Sequence, residues 1–339
     1  MKLTFTVSST SRIFLFNQRA CGPTLGRLLS ATRVSDNPDA GYDVMTLRRD
    51  DPCICSDGLR GRSSGEWART KLQFINDYVP PALAITRRMR RRWFLDLFAG
   101  PGRNRDRHRT PGEFDGSPLR ALELVGTDRA RTAFTDAVFV NRDVRDHEAL
   151  RARVERLVGE GRSQIPMDRI RLIHADANAM LPGLMTTIGR FDYVVAFADI
   201  TAPSQLPLSS VRELRRQGHK SVDFYALFPL EMALIRQLSF SDEMMERYAP
   251  SITAFFDGDE WREIRQRRRT SAETPQLKAE LVELYLGKLR SIWHFAGEQE
   301  RVGRSERQRL YRMFFATDHP LAQRLADWQK GARQQGLFD

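Results

Sequence analysis

One aspartate and two glycines stand together near the end of a short apolar run, residues 94–102, in which Asp96 is followed by Gly100 and Gly102. Glycine in a tight turn lets the backbone adopt φ > 0 and approach a ligand closely, and a fixed carboxylate can accept a hydrogen bond from a cationic or hydroxylated group. This pattern is typical of a buried strand that turns over a nucleotide-like ligand. An ordinary strand-to-loop turn is the alternative, because a single glycine-rich turn is weak evidence.

Polar residues also follow each of the next three strand-like runs. They are, in chain order, Asn141 with Asp143, then Asp176 with Ala177, then Asp199. Ligands bind beyond the carboxyl ends of the strands in open α/β sheets, so we expect these residues to meet at one edge. The first pair would bind ribose hydroxyls, the second an adenine amino group, and Asp199 would stand beside the transferred group. Each residue could instead be a helix cap or a turn residue.

The glycine turn also separates two cofactors. Sites for NAD favour G-x-G-x-x-G leading directly into a helix, but Arg105 stands at the place of the third glycine. The next helix is predicted to begin only at Ser117 as N-cap, with Pro118 at the first helical position. S-adenosylmethionine has no pyrophosphate and suits this turn better, with Asp96 near its ammonium group. The predicted cofactor-binding residues are Asp96, Phe98, Gly100, Gly102, Asn141, Asp143, Asp176 and Ala177.

The segment that leaves the turn is basic. We predict that it binds nucleic acid, because arginine pairs with phosphate and stacks on bases. The chain carries 54 Lys and Arg against 43 Asp and Glu, a formal net charge of +11, which suits an anionic partner. A proteome rich in arginine, or solvated surface charge, would give the same pattern. The predicted contacts are Arg103, Arg105, Arg107 and Arg109.

The elements that must position these residues are predicted from apolar runs of strand length. After the first strand they are residues 137–140, 170–173, 193–197 and 222–228, with helix-length polar segments between the early ones. Short buried strands alternating with helices favour a parallel sheet covered on both faces. A helix that starts near residue 66 precedes the first strand.

The last third of the chain is predicted to be a helical insertion followed by a hairpin. The insertion spans about residues 230–290, with helices at 230–248 and 276–290 joined by a charged stretch. The hairpin strands are predicted at 291–295 and 310–316. The predicted fold class is therefore α/β: the Rossmann-like class I methyltransferase fold, with a mostly parallel seven-stranded sheet, helices on both faces and the insertion before the closing hairpin.

The N-terminal part has no such pattern. We interpret residues 1–64 as a disordered or mis-annotated extension and residues 65–339 as the folded domain, with Met45 as an alternative start to Met1. An organelle transit peptide is the less simple interpretation of the acid-free first residues. Three cysteines indicate a reducing compartment and no zinc site, and no stretch is apolar enough to span a membrane. These features predict a cytoplasmic protein.

Several motifs in the same order resemble the three-Cys-motif partner (TcmP) family, which are bacterial Rossmann-fold proteins of the S-adenosylmethionine-dependent methyltransferase type. The resemblance covers about residues 66–328 and implies this cofactor. It also implies a partner, the radical-enzyme-like three-Cys-motif protein for which the family is named. The motifs are Trp67, Lys71-Leu72, residues 96–102, Gly116-Ser117-Pro118-Leu119, residues 176–178, Phe228-Pro229, residues 255–258 ahead of Trp261, and Leu310-Tyr311 ahead of residues 314–317.

One departure from the family lies after the fourth strand. The family usually has Asp-Pro, an aromatic residue and Gly there, close to the Asp-Pro-Pro-Tyr loop by which amino-methyltransferases hold a target nitrogen. This chain reads Asp-Ile-Thr-Ala-Pro at residues 199–203. The aspartate is kept, but a flipped base would lose its usual clamp.

Two hypotheses follow. The first is a methyltransferase that acts on nucleic acid, in which Asp199 orients the acceptor and catalysis depends mainly on alignment of the reacting atoms. The second is a catalytically silent protein that keeps the fold and acts by binding nucleic acid or the partner protein. The turn at Asp96 favours the first hypothesis, and the altered loop at Asp199 favours the second.

Overall fold

The apolar runs of the sequence form one large sheet in a computed structural model that describes residues 52–65, 67–106, 112–270, 274–303 and 309–335. The strands are β1 (Pro52–Ile54), β2 (Arg60–Ser64), β3 (Arg92–Asp96), β4 (Arg103–Asp106), β5 (Glu113–Asp115), β6 (Asp136–Asn141), β7 (Ile170–His174), β8 (Tyr193–Ala198), β9 (Val222–Phe228), β10 (Phe295–Gly303) and β11 (Arg309–Thr317). The α-helices are α1 (Trp67–Ile85), α2 (Ser117–Glu123), α3 (Val144–Gly159), α4 (Ala177–Thr187), α5 (Leu208–Glu213), α6 (Ile235–Leu238), α7 (Asp242–Phe256), α8 (Glu260–Thr270), α9 (Thr274–Arg290) and α10 (Pro320–Gln335).

The large sheet has seven strands in the order β10-β11-β9-β8-β3-β6-β7. The strands β3, β6, β7, β8 and β9 run parallel, and β11 and β10 close the sheet antiparallel to them. The strand order reverses between β3 and β8, so the carboxyl ends of these strands form the crevice where such sheets bind ligands. This topology, with helices on both faces, confirms the predicted Rossmann-like class I methyltransferase fold.

Alternate residues of β3 face two separate cores. Trp93 and Leu95 pack in the core that contains residues of α4, α7 and α9, whereas Phe94 packs with residues of α1, α2 and α3. The strands β6, β8 and β9 are buried along their whole length, as parallel strands with both faces covered must be. The polar site residues can therefore stand only where these strands end.

The predicted insertion is helical, but its divisions differ from the expected ones. The first helix, predicted at 230–248, is a π-helical turn (Leu230–Leu234), the short α6, and then α7, whose N-cap is Ser241. The charged stretch predicted as a linker is instead part of α8, whose Arg265 pairs with Asp242 at 2.7 Å. No helix in the described part of the chain is long and apolar enough to cross a membrane.

The closing hairpin is confirmed at β11, but the predicted strand at 291–295 is wrong. Residues 291–294 turn out of α9, and β10 begins only at Phe295. Trp293 is buried there because its indole donates to Val222 O at 3.0 Å and stacks on Phe224 with 5.5 Å between centroids. A buried turn and a buried strand have the same apolar sequence signal, so the pattern could not separate them.

A second, four-stranded sheet lies in the order β1-β2-β4-β5. The strands β1 and β2 lie at residues 52–64, which we interpreted from the sequence as part of the extension, so these residues are folded. The strand β4 contains the start of the basic segment and pairs in parallel with β2. Both candidate starts, Met1 and Met45, lie outside the described residues.

Candidate functional site

The turn after β3 has the backbone that its glycines suggested. Gly100 has φ of 62° and Gly102 has φ of 81°, a region that favours glycine. A Cβ at Gly102 would lie 2.8 Å from Leu150 Cδ1, so a larger residue would also clash. The side chain of Asn141, predicted to bind ribose, instead donates to Gly100 O at 2.9 Å and is buried. It therefore holds the turn against the end of β6.

Asp96 is fully buried at the end of β3. Its Oδ1 accepts from Phe98 N at 3.2 Å, whereas Oδ2 has no partner at hydrogen-bonding geometry among the described residues. Burial raises the pKa of Asp96 to about 7, although the Ser117 side chain and the Phe98 N–H favour the charged form. A cationic group placed here would bind the ionised carboxylate beside the Ser117 hydroxyl.

A lysine that we did not predict as a site residue lies beside Asp199. The Lys71 ammonium, on α1, donates to Asp199 Oδ2, and both side chains are largely buried. The other oxygen, Oδ1, is buried and lacks a hydrogen-bond partner in the part of the chain that is described. Because β3 and β8 pair with Asp96 opposite Phe197, the two aspartates stand at adjacent strand ends. The pair leaves Asp199 as a fixed acceptor.

The loop that follows Asp199 closes on itself. The backbone N–H groups of Thr201 and Ala202 donate to Gln205 Oε1 at 2.5 and 3.0 Å, and Ile200 is buried in the core. This compact turn occupies the place of the proline-aromatic clamp in the resembled family. It offers a target base no aromatic face within residues 199–205.

Two of the predicted nucleoside contacts are helix caps. Asp143 caps α3 by accepting from Arg145 N at 2.8 Å, and Asp176 caps α4 by accepting from Asn178 N at 2.8 Å. Ala177 is the first residue of α4 and is buried. The capping roles match the alternative that the sequence left open, and both carboxylates lie at the same sheet edge as the glycine turn.

A buried arginine joins the N-terminal hairpin to the turn. Arg153, on α3, donates to both oxygens of Asp57 at 2.8 and 2.9 Å and to Pro101 O at 2.5 Å. It also donates to Arg60 O at 2.7 Å, so the start of β2 is fixed beside the turn. Sequence reasoning had no signal for this contact, because Arg153 lies 52 to 96 residues from these partners.

The groups that meet around the turn enclose a small cavity. Phe98, Gly100, Gly102 and Asp199 line it, as does Lys71. Three residues that sequence reasoning missed as site residues also line it: Arg62, Ser64 and Ser117. Two of the lining groups, the Ser64 hydroxyl and Asp199 Oδ1, are buried and lack a hydrogen-bond partner in the described chain. Asp96 Oδ2 also lacks one, at the adjacent strand end and outside the cavity wall. Each unsatisfied buried polar atom requires an explanation, and a bound group is one.

The described part of the basic segment is largely paired with acids. Arg103 lies 3.2 Å from Asp115, and Arg105 lies 3.0 Å from Glu113. The Arg105 side chain is still 44% exposed, so it stays accessible from solvent. The other two predicted arginines lie outside the described residues: Arg107 and Arg109.

Comparisons with known proteins give structural likeness only. No family model and no curated protein matches the chain. Solved structures similar to it include a Legionella pneumophila protein of the family DUF519 (9% identity, 76% of this chain and 86% of that chain, TM-score 0.42). Another is Trm1 from Pyrococcus horikoshii, solved with S-adenosyl-L-methionine (12% identity, 77% of this chain and 57% of that chain, TM-score 0.38). A third is spermidine synthase from Thermotoga maritima (11% identity, 78% of this chain and 63% of that chain, TM-score 0.37). Likenesses this low carry no argument about activity, which depends on the geometry above.

Proposed function

We propose that the chain binds S-adenosylmethionine at the carboxyl end of β3 and is a methyltransferase-like protein that acts on nucleic acid. The observation that carries the proposal is Asp96, a fully buried carboxylate with one unpartnered oxygen beside a turn of two positive-φ glycines. A buried acid of this kind is stabilised by a cation, and the amino-acid end of the cofactor carries an ammonium group. The resemblance to the three-Cys-motif partner family points to the same ligand.

The residues present fit this cofactor in kind. Asp96 would hold its ammonium group, and the backbone of Gly100 and Gly102 would lie along its methionine part, with Phe98 beside it. Asp143 and Asp176 would face its nucleoside while capping their helices. When bound, the cofactor supplies an activated methyl group, so the protein has mainly to position the acceptor and exclude water.

Asp199 is the residue that would orient the acceptor. Its Oδ1 is a buried acceptor with no partner among the described residues, while Lys71 holds Oδ2 in place. A nitrogen or hydroxyl that donates to Oδ1 would be fixed beside the cofactor turn. The closed loop at Thr201 and Gln205 means that this acceptor would be held without the usual aromatic stacking.

A catalytically silent protein is the second candidate. The closed loop after Asp199 favours it, because the backbone N–H groups of Thr201 and Ala202 already donate to Gln205 and are not available to a substrate. In this case the cofactor site would be kept for stability or regulation, and the chain would act by binding nucleic acid or the three-Cys-motif protein.

Calorimetry with S-adenosylmethionine on the wild type and Asp96→Ala tests the cofactor. We expect binding by the wild type and a loss of at least about 100-fold in the variant, since a buried charge-assisted contact is removed. An absence of binding to the wild type would contradict both the cofactor and the enzyme. Transfer of a tritiated methyl group to total tRNA, ribosomal RNA or DNA then separates enzyme from silent protein, because transfer to none of them favours the second.

The salt dependence of nucleic-acid binding tests the basic segment. We expect Arg103→Ala with Arg105→Ala to weaken binding and to lower the slope of log K against log salt by up to about 2, one for each phosphate contact. Arg88→Ala with Arg90→Ala is the matched control, since both arginines are exposed and lie before β3. Equal salt slopes in the two double variants would show that Arg103 and Arg105 contribute no more to nucleic-acid binding than other exposed arginines do.

A further inference from the structure

Arg62, on β2, lies flat against the glycine turn. A Cβ built on Gly100 would be 3.3 Å from Arg62 Cζ, 3.4 Å from Nε and 3.5 Å from Nη2. Three nearly equal distances mean that the face of the guanidinium covers Gly100, so its N–H donors point outward around the edge of the plane. The side chain also lines the cavity that contains Lys71 and Asp199.

The carboxylate that holds Arg62 is shared. Asp146, buried on α3, is 3.2 Å from Arg62 Nη2 and 2.8 Å from Arg60 Nε. If Arg62 turned away, Asp146 would lose the hydrogen bond from Arg62 and keep its ion pair with Arg60, which is not at hydrogen-bonding geometry. A buried acid is costly when it loses all its partners, but here one cation would remain. Asp146 would therefore not become an unpaired buried charge if Arg62 bound a ligand instead.

The amino-acid end of the proposed cofactor needs a cation as well as an anion. Asp96 would pair with the ammonium group of the cofactor. The carboxylate of the cofactor would be buried beside Gly100, and its negative charge must also be compensated. Of the other cations at this cavity, Lys71 is bound to Asp199, and Arg103 is bound to Asp115. Arg62 shares its acid with Arg60 and already covers Gly100.

We propose that Arg62 binds the carboxylate of S-adenosylmethionine, leaving Asp146 to Arg60. The proposal rests on the proposed function and deepens it, because it makes the hairpin β1-β2 part of the cofactor site. A guanidinium offers two parallel N–H donors to a carboxylate, so the contact selects ligands that carry the complete amino-acid end. Since Arg153 fixes the start of β2, the exchange needs only the Arg62 side chain to move.

Binding of two ligands to three full-length proteins tests this assignment. The ligands are S-adenosylmethionine and 5′-methylthioadenosine, which lacks the amino-acid end, and the proteins are the wild type, Arg62→Ala and Arg60→Ala. We expect Arg62→Ala to weaken S-adenosylmethionine by about tenfold or more and to leave methylthioadenosine within about twofold. Arg60→Ala is the matched comparison, because it removes the same charge from the same strand and the same acid partner. It leaves Asp146 with Arg62 alone, so we expect it to lower the ratio of the two affinities, but by less than Arg62→Ala does.

Retained methylthioadenosine binding shows that a variant is folded, and Arg62→Lys should restore part of the lost affinity. If Arg62→Ala weakens both ligands equally, the residue only shapes the site and the assignment is overturned. Unchanged binding of S-adenosylmethionine to Arg62→Ala overturns it too, while leaving the proposed function intact. A wild type that binds neither ligand overturns the proposed function, and the role of Arg62 with it.

Discussion

Two buried aspartates stand at opposite ends of the same sheet and differ in how the protein satisfies them. Asp223, near the start of β9, accepts from the hydroxyls of Tyr78, Tyr193 and Thr317, each at 2.6 Å. Asp96, at the end of β3, accepts from one backbone N–H at 3.2 Å and keeps an unpartnered oxygen. Burial raises the pKa of both carboxyls.

The difference indicates that Asp223 stabilises the fold, whereas Asp96 is available to bind a ligand. Three hydroxyls compensate the burial of Asp223 and tie α1, β8 and β11 together. An apolar cavity of about 200 Å³ adjoins it, with Ile85 and Leu325 in its wall. Its acid is already satisfied, so burial and a cavity together do not make a site. The unsatisfied oxygen of Asp96 is the feature that does.

The largest expected effect is on stability at the Asp223 end. Asp223→Ala leaves three buried hydroxyls without their acceptor, so we expect the free energy of unfolding to fall by about 3 to 5 kcal/mol. Urea unfolding measures it. Asp96→Ala is the matched variant and should not lower the free energy of unfolding at neutral pH, because burial of the Asp96 carboxyl is already unfavourable there. Equal losses in the two variants would show that Asp96 is as structural as Asp223.

The next effect is the pH dependence of stability at Asp96. Its folded pKa of about 7 lies above the ordinary 3.8, so the folded state holds the proton more tightly than the unfolded state. This stabilisation is complete below about pH 4 and is lost as the pH rises through 7. Relative to Asp96→Asn, the wild type should lose about 3 kcal/mol of unfolding free energy between about pH 5 and pH 8. A constant difference across that range would mean that Asp96 does not titrate there.

Cofactor affinity should depend on pH in the opposite sense. An ammonium group binds the ionised form of Asp96, so affinity for S-adenosylmethionine should fall by up to about tenfold for each pH unit below about 7. Calorimetry between about pH 5.5 and pH 8 measures this. If Asp96→Asn retains measurable affinity, its profile should be flat. A parallel decline in both proteins would assign the titration to another group.

The smallest effect compares one hydroxyl at each end. Tyr78→Phe removes one of three donors to Asp223, so we expect a loss of about 1 kcal/mol in thermal or urea unfolding. Ser117→Ala, beside Asp96, should leave stability nearly unchanged. A larger loss from Ser117→Ala would mean that its hydroxyl satisfies the aspartate more fully than the geometry indicates.

The sequence predicted β3, β6, β8 and β9 because each is a mostly apolar run that is buried along nearly its whole length. The polar edge strand β10 has no such run and was placed wrongly. The sequence also predicted that Asp96 and Asp199 would meet, since parallel strands end at one edge. It could not separate a ligand from a cap at Asp143 and Asp176, because an acid after a strand suits both roles. Only the N–H groups that each carboxylate accepts from show the difference.

The small sheet was missed for another reason. Its strands β1 and β2 are short and polar, and β2 reads Arg-Gly-Arg-Ser-Ser, which has no strand signal of its own. They are held by contacts with residues about 40 to 90 positions later, and such pairings leave no local trace. Lys71 and Arg62 were missed as site residues for the same reason.

The Arg153 guanidinium has a practical consequence for trimming the chain. Its side chain is only 2% exposed, and its carboxylate partner, Asp57, lies before the point where the family resemblance starts. A shortened protein that began at residue 65 would keep the cation and lose the anion, at a cost of about 3 to 5 kcal/mol. Without Asp57 to hold it, Arg153 would no longer fix the Pro101 carbonyl and the glycine turn around it. A fragment whose first residue is chosen from the resemblance alone would therefore contain every residue of the glycine turn but lack the ion pair that supports it.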